Sequence, residues 1–358
     1  MSKRATIKDI ANALNISTTT VNRAFSGKDR ISEETRSKVF EKAQELGYEP
    51  NLIAKALSSK EVLNIAVICP RDIYFVDVLD GMNAYLQEIS DYNVKITHMC
   101  SELLDVYNQL ECIERCESEG VNALLIAASH PVLLNKAIDK LVSKGIEVMT
   151  FSNDAPTSGR SLFIGSNGRI TGSLAAELMC KILKRDAQVA MIKSLSPGED
   201  LKFRCDSFTD YITKQSDEIK LIASSEYLDA KGSSYYCALD LLQNTKVDGI
   251  YANNMEGTLG LGRAVRELGR DDIVVIGHDL NEDIATYIEE GVIDAIIYQN
   301  PFMQGYISVK QMFEKLYLHQ QTSTSEIYIQ SSVVFKSNII ERAPWKNTYY
   351  YANRHFRK

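Results

Sequence analysis

The sequence has no uninterrupted run of about 18 apolar residues, the length a helix needs to cross a bilayer. It has no basic-then-apolar leader, since Met1-Ser2-Lys3-Arg4 runs straight into a helical pattern. Neither a membrane span nor a signal peptide is expected, and a cytoplasmic location is. The seven cysteines, Cys69, Cys100, Cys112, Cys116, Cys180, Cys205 and Cys237, are scattered and odd in number. They form no C-x-x-C pair and no Cys/His cluster, so neither a disulfide framework nor a zinc site is expected. They read as small buried hydrophobes in a reducing compartment. Cys112 and Cys116, at i,i+4, can share one helix face.

Catalytic signatures are missing too. There is no P-loop, no G-x-S-x-G and no H-E-x-x-H, and Gly257-x-x-Gly260-x-Gly262 lacks the dinucleotide-binding spacing. His98, His130, His278, His319 and His355 stand apart, without a nucleophile or metal partner nearby in sequence. An enzyme is therefore not expected, and neither are catalytic residues, a metal or a cofactor.

The chain has 358 residues, 45% of them hydrophobic and 24% charged, too long for one small domain. Its charge is uneven. Residues 1–60 hold 11 Lys+Arg against 7 Asp+Glu, whereas the whole chain holds 40 against 47. A basic head on an acidic body is the asymmetry of a protein whose head meets a polyanion.

Thr6-Ile7-Lys8-Asp9 reads as a capping box opening a helix with Ile7, Ile10, Ala11 and Leu14 on one face. The chain breaks at Asn15-Ile16. Ser17 then caps a second helix holding Thr18, Thr19, Thr20, Val21 and Ala24. Two short helices joined by so brief a turn form a helix-turn-helix unit. Thr18, Thr19, Asn22 and Arg23 are the short polar and basic groups that can meet base edges and phosphates in the major groove. Ser32-Glu33-Glu34-Thr35 starts a third helix with Val39, Ala43 and Leu46 as its apolar face and Gly47 as its stop. Pro50 ends that element, and Asn51 can cap another.

These residues carry a resemblance. Thr6-Ile7-Lys8-Asp9-Ile10-Ala11, Ser17-x-x-Thr20-Val21-x-Arg23, Thr35-Arg36-x-Lys38-Val39, Leu46-Gly47-Tyr48-x-Pro50-Asn51 and Ala54-Lys55-x-Leu57 occur in order. Together they resemble the head of the lactose-repressor (LacI/GalR) family. The resemblance implies base-reading positions at Thr18, Thr19 and Arg23. It also implies a hinge helix over 51–58 with Leu57 as a minor-groove wedge. The implied DNA-binding set is Thr6, Ser17, Thr18, Thr19, Asn22 and Arg23 in the head and Asn51, Ala54, Lys55 and Leu57 in the hinge. Asn22 stands where the family usually has Ser, and Lys55 where Arg is common.

From Leu63 onward short apolar runs alternate with amphipathic stretches. Strands are expected at 64–69, 94–99, 123–127, 147–151, 188–192, 220–223, 249–252, 273–276 and 295–298. Repeated βα units predict an α/β fold, parallel sheets covered by helices, and the body divides into two doubly wound lobes. Ligands bind such sheets beyond the carboxyl ends of the strands, which for facing lobes means the cleft. Residues 148–156, 163–167, 276–279 and 291–306 resemble the type-1 periplasmic sugar-binding fold, the last two closest to its ribose-binding branch. The resemblance implies a ligand set of Asp279 and Gln299 after their strands, Arg204 in an R-x-x-G-F/W-like pattern with Ser207 replacing the glycine, and Asn254, with Asn253 as a substitute. Ser152 and Asn153 stand in for a common acidic or Asp-Arg pair, and Met255 for a usual Asp. Tyr74 and Phe75 can stack on a sugar face.

The expected organisation is a helix-turn-helix domain at 1–50, a hinge at 51–61, a two-lobed effector and dimerisation body at 62–340 and an unassigned tail at 341–358. The expected partners are a near-palindromic operator in double-stranded DNA, a small sugar or polyol, and a second copy in a homodimer, with no membrane.

Overall fold

The computed structural model describes residues 5–26, 31–46, 48, 62–101, 105–214, 219–228, 232–320 and 322–339. Gly47, the expected hinge residues Asn51, Ala54, Lys55 and Leu57, and the tail at 341–358 lie outside the described residues.

The head is three helices: α1 (Ile7–Leu14), α2 (Thr18–Ser26) and α3 (Glu33–Glu45). The Asp9 carboxylate closes the capping box, accepting from the Thr6 backbone N–H at 2.7 Å and from its hydroxyl at 2.6 Å. Asn15 ends α1 in the left-handed conformation, φ 53°, which asparagine tolerates better than most residues. Ser17 Oγ accepts from Thr20 N at 3.0 Å and starts α2. Ile10, Ala11, Val21, Ala24, Val39 and Ala43 bury one small core between the helices.

The body alternates β1 (Leu63–Pro70), α4 (Ile73–Glu88), β2 (Val94–Ser101), α5 (Val106–Ser118), β3 (Ala123–Ile126), α6 (Asn135–Ser143), β4 (Glu147–Phe151) and β5 (Leu162–Gly165) in a first lobe. A second lobe follows with α7 (Gly168–Ile182), β6 (Ala187–Ser194), α8 (Glu199–Lys214), β7 (Ile219–Tyr227), α9 (Ser233–Asn244), β8 (Gly249–Ala252), α10 (Met255–Leu268), β9 (Val274–His278), α11 (Glu282–Glu290) and β10 (Ala295–Tyr298). The chain returns to the first lobe with α12 (Pro301–Tyr317) and β11 (Glu326–Tyr328), then crosses again to β12 (Ser332–Val334). The first sheet has the order β11-β5-β4-β3-β1-β2, all parallel. The second has the order β12-β10-β9-β8-β6-β7, parallel except for β12.

The inner strands of each sheet are buried on both faces, which is why they are largely apolar runs, whereas the edge strands β2, β7 and β11 are partly exposed. Along β1, Ile65, Val67 and Cys69 enter one core while Ala66 and Ile68 enter the opposite one. The second lobe splits the same way: Ile250 lies on one side of β8 and Tyr251 on the other. Every expected strand is present. Three others, β5, β11 and β12, lay beyond the expectation; β11 and β12 are only three residues long, and β11 is largely exposed.

Close helix packing fixes the parts that carry the cleft. Gly81 on α4 and Gly305 on α12 face each other's helices, and a Cβ at either would collide with the Phe302 or Val78 carbonyl. A Cβ at Gly172 on α7 would collide with the Arg204 carbonyl on α8. Among the described residues, no helix is long and apolar enough to cross a membrane.

Candidate functional site

On α2, Thr18, Thr19, Asn22 and Arg23 are exposed, while Val21 and Ala24 are buried against α1 and α3. Positions i, i+1, i+4 and i+5 share one side of a helix, so these four groups form a single outward polar face. Thr6 and Ser17 are exposed as well, each spent on a helix cap.

Between the lobes lies a cavity of about 320 Å³, at the small end of the range for small-molecule sites. Its lining comes from segments that follow strands. Asp72, Tyr74 and Phe75 follow β1, Ser152 and Asn153 follow β4, and Ser196, Asp200 and Arg204 follow β6. Asn254 and Glu256 follow β8, Asp279 follows β9 and Gln299 follows β10. Eight of the nine expected ligand-binding residues, Tyr74, Phe75, Ser152, Asn153, Arg204, Asn254, Asp279 and Gln299, meet round this one space.

Asn253 does not. Successive residues leaving a strand point to opposite faces. Asn253 turns into the protein, fully buried, accepting from Ser194 N at 3.1 Å and contacting Cys205 Sγ at 3.2 Å. Of the two asparagines it is Asn254 that lines the cavity; its Oδ1 caps α10 at Gly257 N, 2.8 Å, and accepts from the Tyr227 hydroxyl at 2.5 Å.

Arg204, 3% exposed, is the centre of the floor. One terminal nitrogen donates to the Asn253 carbonyl at 3.0 Å and faces His278 Nδ1 at 3.4 Å. The other serves Asp200, Ser166 at 3.3 Å and Gln299 Oε1 at 2.5 Å. Burial works against the guanidinium charge, but Asp200 and Asp279 outweigh it and raise its pKa. Burial drives the His278 imidazole well below its usual pKa, and Arg204 adds to this, so the ring is neutral. Arginine can only donate, which places the ring proton on Nε2, facing the Tyr251 hydroxyl at 2.8 Å.

Asp279 is buried and pushed up to about 6 by that burial, against the pull of Arg204 and of the Gln299 hydrogen bond. Its backbone is left-handed at φ 64°, as are Ser152 at 57° and Asn300 at 56°. Such conformations cost about 1–3 kcal/mol each and cluster where a site over-determines them. Gln304, fully buried on α12, ties the two sides together. Its Oε1 accepts from Ser152 at 2.8 Å and Tyr74 at 3.3 Å, and its Nε2 donates to the Gln299 carbonyl at 3.2 Å. Tyr74 and Phe75 meet edge to face at 5.2 Å and close an apolar corner.

Asp72, Asp200 and Glu256 join the lining without having been expected from the sequence. Asp200 carried a usable signal, an acid one helical turn before Arg204. Asp72 and Glu256 carried none beyond their places at helix starts. Among the described residues, no group of histidine, cysteine and carboxylate side chains could hold a metal ion.

Two doubly wound lobes round a cavity of mixed polar and aromatic lining, behind a helix-turn-helix head with an outward polar face, define a ligand-responsive DNA-binding regulator. The chain belongs to the periplasmic binding protein domain family, which its residues 65–318 match, and its residues 6–51 match the bacterial regulatory proteins of the lacI family. It is thus a transcriptional regulator and not an enzyme.

The chain is similar to the transcriptional repressor PurR of Aliivibrio fischeri, 24% identical over 351 residues, covering 94% of this chain and 99% of that one. It is also similar to the D-ribose/D-allose-binding protein of Pseudomonas aeruginosa, 25% identical over 251 residues, covering 68% and 78%. In fold it matches an ABC-transporter solute-binding protein of Burkholderia graminis solved with D-arabinose. The TM-score is 0.74 at 23% identity, covering 80% of this chain and 99% of that one.

Proposed function

We propose that this protein is a cytoplasmic homodimeric repressor that binds a near-palindromic operator and releases or grips it in response to a small sugar or polyol. In this reading residues 1–50 are the DNA-binding domain, 51–61 the hinge and 62–340 the effector and dimerisation body. Thr6, Ser17, Thr18, Thr19, Asn22 and Arg23 contact DNA from the head. Asn51, Ala54, Lys55 and Leu57 contact it from the hinge, with Leu57 wedged in the minor groove.

The observation that carries the effector assignment is the convergence of Asp279, Gln299, Arg204 and Asn254 opposite the Tyr74–Phe75 corner in one small cavity. A polyol offers adjacent hydroxyls that donate and accept; Asp accepts, Arg donates, and Asn and Gln do both. An aromatic covers the C–H face. Closure of the lobes on a ligand shifts their relative orientation and so the hinge spacing. Effector and operator affinities are then coupled reciprocally, typically by about 1–3 kcal/mol.

The test is a thermal-shift screen of the full chain against pentoses, hexoses, inositols and purines, followed by operator binding with and without the hit. A ligand at ~100 times its dissociation constant adds about 2.7 kcal/mol of stability. A sugar that shifts the melting midpoint and changes operator affinity supports the reading. A purine that does both in place of any sugar overturns the effector class, and sequence-independent DNA binding overturns the operator assignment. Leu57→Ala should weaken operator binding and spare effector binding.

A further inference from the structure

Three helices turn their N-termini to the cleft: α4 at Ile73, α8 at Glu199 and α10 at Met255. A helix N-terminus carries partial positive charge and unpaired N–H groups, and so suits a carboxylate or phosphate. Here each one already has an acid from the chain itself. Asp72 caps α4, accepting from Tyr74 N at 2.9 Å, while Asp200 and Glu256 sit in the first turns of α8 and α10. All three line the cavity beside Asp279.

The one basic side chain in the lining is Arg204, and its two terminal nitrogens are committed to Asn253, His278, Asp200, Ser166 and Gln299. Only its Nε lacks a hydrogen-bond partner. A guanidinium holds an anion with two parallel N–H groups, and no such pair remains. Asp279 presents the opposite case. It is 3% exposed and one oxygen receives Gln299; among the described residues the other has no partner. The cavity therefore offers acceptors and negative charge, with its positive charge spent internally.

We propose that the effector is an uncharged or amine-bearing polyol, and that the cleft rejects sugar acids and sugar phosphates. This rests on the reading of the cleft as a polyol site. An ammonium on the ligand would find Asp72, Glu256 and Asp279 around it, Asp200 being already paired with Arg204. A carboxylate or phosphate would meet the same three groups without a free counter-charge.

The experiment measures binding of matched sets to the full chain by thermal shift and calorimetry. One set is galactose, galactosamine, galacturonate and galactose 6-phosphate; the others are the glucose and ribose sets with their amino, acid and phosphate forms. Within the frame that binds, the neutral or amine-bearing member should lead and the anionic members should be weaker by roughly tenfold or more, the scale of one unfavourable charge at close range in a partly wet site. An acid or phosphate that binds as tightly as its neutral counterpart overturns the proposal while leaving a sugar site in place. Silence from every member, whatever its charge, is a different pattern and removes the sugar reading together with the proposal. A second arm uses Asp72→Asn, which keeps the helix cap, and Glu256→Gln. Each should narrow the gap between anionic and neutral members severalfold, and an unchanged ratio in both variants overturns the proposal.

Discussion

Gln299 Nε2 donates to Asp279 Oδ1 at 2.7 Å, joining the residues that follow the neighbouring strands β10 and β9 on the floor of the cleft. The amide also spends its Oε1 on Ser166 and Arg204, so the aspartate is held by a group that is itself held on both sides. Such a shell fixes the acceptor that a ligand hydroxyl would meet.

That burial has a cost that titration reads. Asp279 is pushed up to about 6 from the usual 3.8. Between those values the folded protein keeps a proton that the unfolded chain has lost. Stability therefore falls as pH rises through this window, by about 2–3 kcal/mol in full above it. Asp279→Asn should raise the melting midpoint of the unliganded protein at pH 7.5 and change it little near pH 4. The same variant should lose effector binding. A midpoint lowered equally at both pH values would contradict the assignment.

Effector affinity should depend on the same proton. Ligand hydroxyls donate to the ionised carboxylate, so binding favours loss of the proton. The dissociation constant should rise about tenfold between pH 7 and pH 5 for one group titrating near 6. Calorimetry in buffers of different ionisation enthalpy should detect proton release near pH 6, and binding indifferent to pH over this range would contradict the role.

Arg204→Met should be strongly destabilising. It leaves Asp200 without its ion partner and the Asn253 carbonyl without its donor, a loss of about 3–5 kcal/mol for breaking a buried pair. Urea denaturation of the full chain reads this, and adding Asp200→Leu should restore part of the loss, as expected of residues that act as a pair.

Gln304→Ala should weaken effector binding about tenfold although Gln304 does not line the cavity, because Ser152, Tyr74 and Gln299 lose a shared partner. A calorimetric titration checks it. Unchanged affinity would reduce Gln304 to a packing element of α12.

On the head, Arg23→Ala should cost about 1–3 kcal/mol in operator binding and relax the preference at one base pair, with effector binding unchanged. Fluorescence anisotropy with an operator selected from random DNA decides this. A loss uniform over all sequences, with a shallower salt dependence, would make Arg23 a phosphate contact.

Much of this protein is legible in its sequence, for a physical reason in each case. Helix starts in the head are local events: Asp9 lies three residues from Thr6 and Thr20 three from Ser17, so capping is written along the chain. Strands buried on both faces must be apolar throughout, which marked β1, β3, β4, β8 and β10 in full view. The short β11 and β12 escaped because their pairing with β5 and β10, across more than thirty residues, gives them their structure rather than their own composition. Asp279 and Gln299 could be placed because each directly follows a strand. Tertiary structure alone decided which of Asn253 and Asn254 lines the cavity, since adjacent residues diverge and only the position of β6 makes one of those directions the interior. It alone gathered Asp72, Asp200 and Glu256 round one space. Helix N-termini from three separate βα units converge only when the sheets are assembled and the lobes face each other, and the charge of a cavity is a property of that assembly.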